Sequence, residues 1–449
     1  MEEGETGLLL QSNKELLSSG YSIHEYSEEI KKIKSALTWV FLDQSNLWRA
    51  GLSWSLFFIL TIGVPLVSHF MFACLTCDTM HQRPFDALVQ VSLSLFATLS
   101  FVSLSSFARK YGIRKFLFLD KLYEDSEKVQ QGYTEQLHRS MKILSSFVLP
   151  SFIAESIYKI WWFSSGGTQI PYLYNAALSN IFVCILLISS WLYRISISFL
   201  VCVLFRLICS LQILRLEEFA QVFEKESDVS SIMIEHLRIR RNLRVISHRF
   251  RVFILSTLIL VTISQFLALL LITEPSSTVN MFTAGELALS SITLVTGLFM
   301  CLRSAAKITH KAQAVTSLAA KWHACATISS LDDMTEETPM ARTVTPQMVY
   351  PINSSWDTDE EGDGDDVLDN TNMVPIDHAS TISYQKRQAL VTYFEHNKAG
   401  ITVYGFMLDR TWLHTILRFN CLLHSGYSIK LLVFRKSQST TRFLLCVCS

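Results

Sequence analysis

The sequence predicts an all-α fold, a polytopic transmembrane helix bundle with six spans and a degraded seventh, whose helices extend into a cytosolic anchor region. Three observations carry this. Hydrophobic residues make up 50% of the 449 residues and charged residues only 17%. Mean hydropathy is +0.30, which fits a multi-pass membrane protein better than a soluble enzyme. The stretch Tyr172–Glu274 holds neither Gly nor Pro, where chance would place about six of these turn-formers, so long helices are expected there. Finally, Lys and Arg segregate: with the N-terminus inside, the cytosolic segments hold 26 and the outer connections only Arg83, the asymmetry that orients membrane proteins.

The elements follow in order. Residues 1–51 form a polar to amphipathic cytosolic region, in which Ile30, Ile33, Leu37, Val40 and Phe41 recur at helical spacing. The start is acidic and shows no cleavable signal pattern, and Glu5-Thr-Gly-Leu-Leu9-Leu10 is a candidate dileucine sorting signal. The six-span domain covers 52–330. Span one is about Leu52–Phe72, interrupted by Pro65, which membrane helices tolerate. Span two, about Phe85–Phe107, is rich in Ser and Thr able to bond between helices. Span three is about Ile143–Phe163. Span four is Asn175–Tyr193 and span five Val252–Ile272, each about 20 residues, enough to cross a hydrocarbon core. Between them helical extensions cover about 195–250, with a turn at Glu226–Ser231. The apolar run Ile195–Leu214 is not a separate span, because that would put the Arg-rich stretch outside. It needs cover from helix contacts, most simply in the cytosolic anchor. Span six is about Gly285–Leu302.

Residues 331–380 carry thirteen Asp or Glu against Arg342 alone, a composition that cannot bury a core and predicts a disordered cytosolic loop. Residues 381–416 form a further helix and a partial seventh span. Residues 417–449 are a divergent tail in which Arg418, Lys430, Arg435 and Lys436 interrupt the apolar runs. Each basic residue at the centre of a span opposes insertion by roughly 2.5–3.5 kcal/mol, so this tail is expected to stay cytosolic. Its end, Cys446-Val-Cys-Ser449, fits a prenylation pattern. Formal net charge is zero and the ten cysteines are scattered, which argues against a disulfide framework.

Several strings in order carry a family signature: Cys74-x-x-Cys77-Asp with His81-x-Arg83-Pro84-Phe85-Asp86, Ser105-x-x-Ala108-Arg-Lys-Tyr-Gly112, Tyr158-Lys-Ile-Trp-Trp162, Gln169-Ile-Pro-Tyr172, Ala319-Ala-Lys-Trp-His, and Gly400-Ile-Thr-Val-x-Gly-Phe-x-Leu-Asp-Arg-Thr-Trp-Leu-His414. Over about 20–416 the chain resembles the plant gustatory-receptor-like family of membrane proteins of unknown function. That family is in turn distantly similar to insect odorant and gustatory receptors. The resemblance implies seven spans, a cytosolic N-terminus, an anchor below the membrane, a homo-tetramer and, from the insect relatives, a last span lining a ligand-gated cation pore. This chain departs from the family after Ile416, where an apolar seventh span is replaced by Leu-Arg418-Phe-Asn.

Glu155 and Lys159 sit one turn apart within span three, in the favourable order for an i,i+4 pair. They read either as a gate or pocket element or as a structural ion pair between helices. Arg194 is expected near the inner interface, out of reach of the deeper Glu155. Trp161, Trp162 and Tyr172 read as an outer aromatic belt or part of a ligand pocket. Arg238, Arg240, Arg241 and Arg244 read as contacts to anionic lipid or to the acidic loop, or as a solvated helix face, and not as a nucleic-acid site. Thr338 and Thr345, each before Pro, are candidate phosphosites. Cys74, Cys77 and His81, with Asp78 nearby, have metal-ligand spacing but lack a fourth ligand, and an outer disulfide competes. No metal or other cofactor is expected. No catalytic motif is present, so no enzyme is expected.

Function therefore reads first as chemoreceptor-like, a ligand-gated cation channel subunit on the resemblance. A non-conducting scaffold or signalling protein is the alternative, and a secondary transporter the third, weakened by the lack of repeats. The partners are membrane lipids and an unknown small ligand. The location is the plasma membrane or an endosomal or vacuolar membrane. The topology has a direct check: Asn353-Ser-Ser355 is the one glycosylation sequon, and in a secretory expression system it should remain unmodified. A glycan on Asn353 would reverse the orientation.

Overall fold

The computed structural model describes residues 47–71, 85–116, 127–165, 176–225, 229–273, 281–335, 384–416, 418–420 and 422. Its elements are α1 (Leu47–Phe58), a π-helical turn (Ile59–Gly63), α2 (Val64–Met71), α3 (Asp86–Phe116), α4 (Glu127–Ser164), α5 (Ala176–Lys225), α6 (Val229–Thr273), α7 (Met281–Thr335), α8 (Tyr384–His396), and strands β1 (Thr402–Val403) and β2 (Phe406–Met407). Six helical stretches among the described residues are long and apolar enough to cross a membrane. The Gly- and Pro-free stretch becomes two helices of 50 and 45 residues, and residues 226–228 lie outside the described set. The chain is a multi-pass helical membrane protein.

The chain divides into two compact units. The first comprises Met1–Leu211, Ser247–Lys307 and Thr402–Ser449, the second Gln212–Ile246 and Ile308–Ile401. In the first, α5 is the central helix. Its apolar window is 78% buried, against 11% for the window in α4, so α5 is a core helix and α4 a peripheral one. The run Ile195–Leu211 is buried on nearly every face. The cover that this run needs comes from helix contacts, largely within the first unit. Phe205 packs on Phe250 of α6 at 4.7 Å, and Phe107 of α3 lies on the same ring at 5.1 Å. The opposite faces carry large apolar side chains outward, such as Phe70, Ile157, Phe182 and Phe266. In water such a surface would be costly, and against lipid it is the expected arrangement.

Span one is broken just before Pro65. Proline lacks an N–H and so leaves the carbonyl four residues back, that of Thr61, without its helical donor. In the π-helical turn the N–H of Val64 bonds to Ile59 O, one residue further back than in an α-helix, which frees the Leu60 carbonyl as well. Both are met by hydroxyls from neighbouring helices. Ser94 Oγ of α3 donates to Thr61 O at 2.8 Å, and Ser190 Oγ of α5 donates to Leu60 O at 2.5 Å. Pro150, by contrast, sits inside a continuous α4.

After α8 the first unit takes up a small antiparallel hairpin, with Thr402 opposite Met407 and Val403 opposite Phe406. It is a feature that the sequence reading did not include. Its turn has Tyr404 at φ 50 and Gly405 at φ 92, two left-handed residues in succession, which suits a two-residue hairpin. The hairpin is tied to α6 by Thr402 N–H donating to Ser247 Oγ at 3.1 Å and by Arg251 over the Tyr404 ring at 5.1 Å. Beyond it, 410–416 and 418–420 are helical. Arg418 is exposed there and Asn420 is buried, its Nδ2 donating to Ile416 O at 2.8 Å.

In the second unit α8 is held against α6 and α7 residues. Leu390 and Phe394 are buried, and Arg240 Nη1 donates to Asn397 Oδ1 at 2.6 Å. Asn397 also closes the end of α8, its N–H and side-chain amide both donating to Tyr393 O at 2.9 Å. Lys311 of α7 pairs with Glu217 of α5 at 3.4 Å.

Candidate functional site

The first unit contains a buried cluster of charge built from four of its long helices and α2. Four residues of helix advance about 6 Å, one turn, so Glu155 and Lys159 share a face of α4. Lys159 Nζ lies 3.3 Å from Glu155 Oε1. Its shorter contact, 2.9 Å, is to Glu286 Oε1 at the start of α7. Glu155 and Lys159 are each 2% exposed and Glu286 9%. One ammonium group is therefore shared between two carboxylates from different helices, away from solvent.

A second part begins at Asp86, the first residue of α3. Its carboxylate accepts from Gln90 Nε2 at 3.1 Å and lies 3.3 Å from Nδ1 of His69 on α2. Arg194 of α5 bonds to α3 one and two turns further on. Its Nη1 donates to Gln90 O at 3.5 Å and to Ser94 Oγ at 3.3 Å, and the acidic groups whose charge bears on it are Glu155, Asp86 and Glu286. Three buried carboxylates thus face two buried fixed cations, with the half-exposed His69 at the edge. Desolvation makes any uncompensated member expensive, so the cluster is expected to act as a unit. Its chemistry suits charge compensation between packed helices.

The structure brings Glu155 and Lys159 together, as their spacing predicts. Glu286 and Asp86 were missed because each stands at the first residues of a span, where a charge normally reads as interfacial. Arg194, expected near the inner interface, bonds to Gln90 and Ser94 in the first turns of α3. The expectation placed Arg194 just past the end of its apolar run, and a 50-residue helix need not end its membrane span there. Trp162 is 2% exposed and packs with Val64, Phe163, Cys184 and Leu187, a bundle-interior position rather than a lipid-facing belt. Trp161 is half-buried against the same cluster. Tyr172 lies outside the described residues, as do Cys74, Cys77, Asp78, His81, Thr338, Thr345 and the acidic loop beyond Thr335. Among the described residues no group of His, Cys, Asp or Glu is arranged to hold a metal.

The arginines divide. Arg240 is engaged with Asn397, and Arg238 pairs with Glu235 at 3.5 Å on a half-exposed face. Arg241 and Arg244 are exposed. Beside Arg240, His236 is enclosed by Phe394, Tyr393 and Phe219 at 4.6, 5.6 and 6.2 Å between rings. This site lies before span five as read from the sequence. Burial, reinforced by the Arg240 charge, pushes the His236 imidazole down to about 4. The folded state therefore holds it neutral. Above the ordinary value of 6.5 both states are neutral and pH has no effect through this group. As pH falls from 6.5 toward 4 the unfolded state gains a proton that the folded state resists, and stability is lost. Protection factors of 229–246 and 384–396, corrected for the intrinsic slowing of exchange at lower pH, should fall over that window, and His236→Gln should remove that component of the pH dependence.

Comparison with known proteins completes the description. Residues 28–419 match the family described as "Protein of unknown function (DUF3537)". No curated protein matches significantly. Among solved structures, the insect olfactory receptor OR5 from Machilis hrabei is similar at 12% identity and a TM-score of 0.54. The same receptor in complex with eugenol is similar at 13% identity and a TM-score of 0.50. In both cases the match covers 91% of this chain and 100% of the receptor chain. At such identity the likeness shows a common fold, that of an insect olfactory receptor.

Proposed function

The chain belongs to the DUF3537 family of proteins of unknown function, and from that premise we propose that it is a chemoreceptor-like membrane protein of plant gustatory-receptor-like type, a subunit of a ligand-gated cation channel. The observation that carries this reading is the fold shared with an olfactory receptor along that receptor's whole length. The ligand is a small molecule, by analogy with the eugenol held by the OR5 receptor. The subunits assemble as a homo-tetramer, the exposed Arg241 and Arg244 meet anionic lipid, and the chain catalyses no reaction. The buried charges supply the element that such a receptor needs: groups that stay compensated in one arrangement of helices and are exposed to a penalty in another. The membrane is the plasma membrane or an endosomal or vacuolar one.

One observation favours a non-conducting scaffold instead. The helical stretch after 410 carries exposed Arg418 and buried Asn420, where a pore-lining span would be continuously apolar toward lipid. Purified protein in planar bilayers decides between the two. A cation current from this chain supports the channel reading directly. Current only from a version whose residues 417–449 are replaced by an apolar span supports it for the core and assigns the defect to the tail. Silence from both versions favours the scaffold.

A further inference from the structure

The two serine hydroxyls that satisfy the broken turn of span one come from helices that also carry the charge cluster. Ser94 occupies the joint. It donates to Thr61 O at 2.8 Å and accepts from Arg194 Nη1 at 3.3 Å. A hydroxyl has one proton. By taking the guanidinium N–H on its lone pair, Ser94 leaves that single proton to point at the carbonyl abandoned by Pro65. Arg194 in turn is 3% exposed; its Nη1 also donates to Gln90 O, and Gln90 Nε2 donates to Asp86. On the same helix, one turn earlier, Ser190 supports Leu60 O.

We propose that Arg194 is a positioning residue that, through Ser94, makes the order of the π-helical turn in span one depend on the buried charge cluster. The route is Asp86 through Gln90 to Arg194, then to Ser94 Oγ, then to Thr61 O. It is physically specific because a buried carbonyl with no donor is unfavourable and neither Pro65 nor the rest of span one can supply one. The π-helical turn holds one residue more than an α-helical turn, so a change from five-residue to four-residue closure would turn α1 relative to α2 by about one residue's rotation, roughly 100°. The cluster thereby gains a mechanical output, a helix whose two halves rotate with respect to each other. The inference concerns coupling inside the first unit and does not rest on whether the chain conducts ions.

The test is hydrogen–deuterium exchange of the full chain in lipid nanodiscs, read on a peptide covering residues 57–71. Ser94→Ala is expected to raise exchange there about tenfold, the equivalent of one lost hydrogen bond of about 1.4 kcal/mol. Arg194→Gln should raise exchange on the same peptide by a similar factor, and Arg194→Gln combined with Ser94→Ala should add nothing further, because both act on one link. Ser190→Ala, which releases Leu60 O by a separate contact, should add to either. If Arg194→Gln does not yield folded protein, Arg194→Lys, which keeps the charge but loses the planar fork, is measured in its place with the same expectation. Exchange at 57–71 unchanged in the arginine variant, or arginine and serine effects that add in full, would overturn the coupling. So would a Ser94→Ala variant that exchanges like the original chain.

Discussion

Lys159→Met is expected to lose more stability than any other single substitution in the charge cluster. It removes the ammonium that two carboxylates share, at 2.9 Å to Glu286 and 3.3 Å to Glu155, and leaves both acids buried. Breaking a buried pair in this way destabilises by about 3–5 kcal/mol. Glu155→Gln should be milder, because Lys159 keeps its closer partner, and Glu286→Gln intermediate. The triple variant Glu155→Gln, Lys159→Met, Glu286→Gln should recover much of the loss, since an apolar or neutral replacement of a whole ion pair is often close to neutral. Thermal unfolding in nanodiscs of the five proteins, the original included, checks the order. A Lys159→Met variant as stable as the original chain, or a triple variant no better than Lys159→Met, would show that the charges are not an energetic unit.

Gly297→Leu should prevent correct assembly of the bundle. A Cβ at Gly297 on α7 would fall 2.9 Å from Phe96 Cζ and 3.2 Å from Cε1 on α3, with Cys202 Sγ of α5 at 3.6 Å. Phe96 is fully buried, so its ring has no free space to enter. Overpacking of this kind costs about 1–3 kcal/mol, and a branched side chain at a three-helix contact lies at or above the upper end. Close approach through a small residue is a recurrent way for membrane helices to pack. Gly285→Leu is the control on the same helix: nothing lies within 4 Å of a Cβ there. Size-exclusion profiles should show the Gly285 variant monodisperse and the Gly297 variant aggregated or poorly expressed. Equal behaviour of the two would mean that the contact carries no packing role.

The bundle was readable in advance because its signals are local and repeated. An apolar run of about 20 residues is a span wherever it lies, and missing Gly and Pro predicts an unbroken helix without reference to any neighbour. The Glu155–Lys159 pairing was readable for the same reason, since four residues of helix define their separation. The hairpin was hidden by its length: two strands of two residues produce no alternation to detect, and only Tyr404 and Gly405 at positive φ reveal the turn. Pro65 announced an interruption in span one, but the π-helical turn that precedes it depends on hydroxyls more than 30 and 100 residues away.

By itself the sequence determined that this chain is a helical multi-pass membrane protein, where its long helices run, and that a Glu and a Lys share one face inside the third span. Hydrophobic length, helix propensity and the one-turn spacing act along the chain, so one dimension suffices. The tertiary structure alone decided that Lys159 takes its closest carboxylate from α7, that Arg194 bonds to Gln90 and Ser94 of α3, that Trp162 faces the bundle interior, and that Ser94 and Ser190 complete the backbone of span one. Each of these depends on the relative depth and rotation of helices far apart in sequence. That registration is chosen by summed packing and by the need to compensate every buried charge and carbonyl, and no local pattern encodes it.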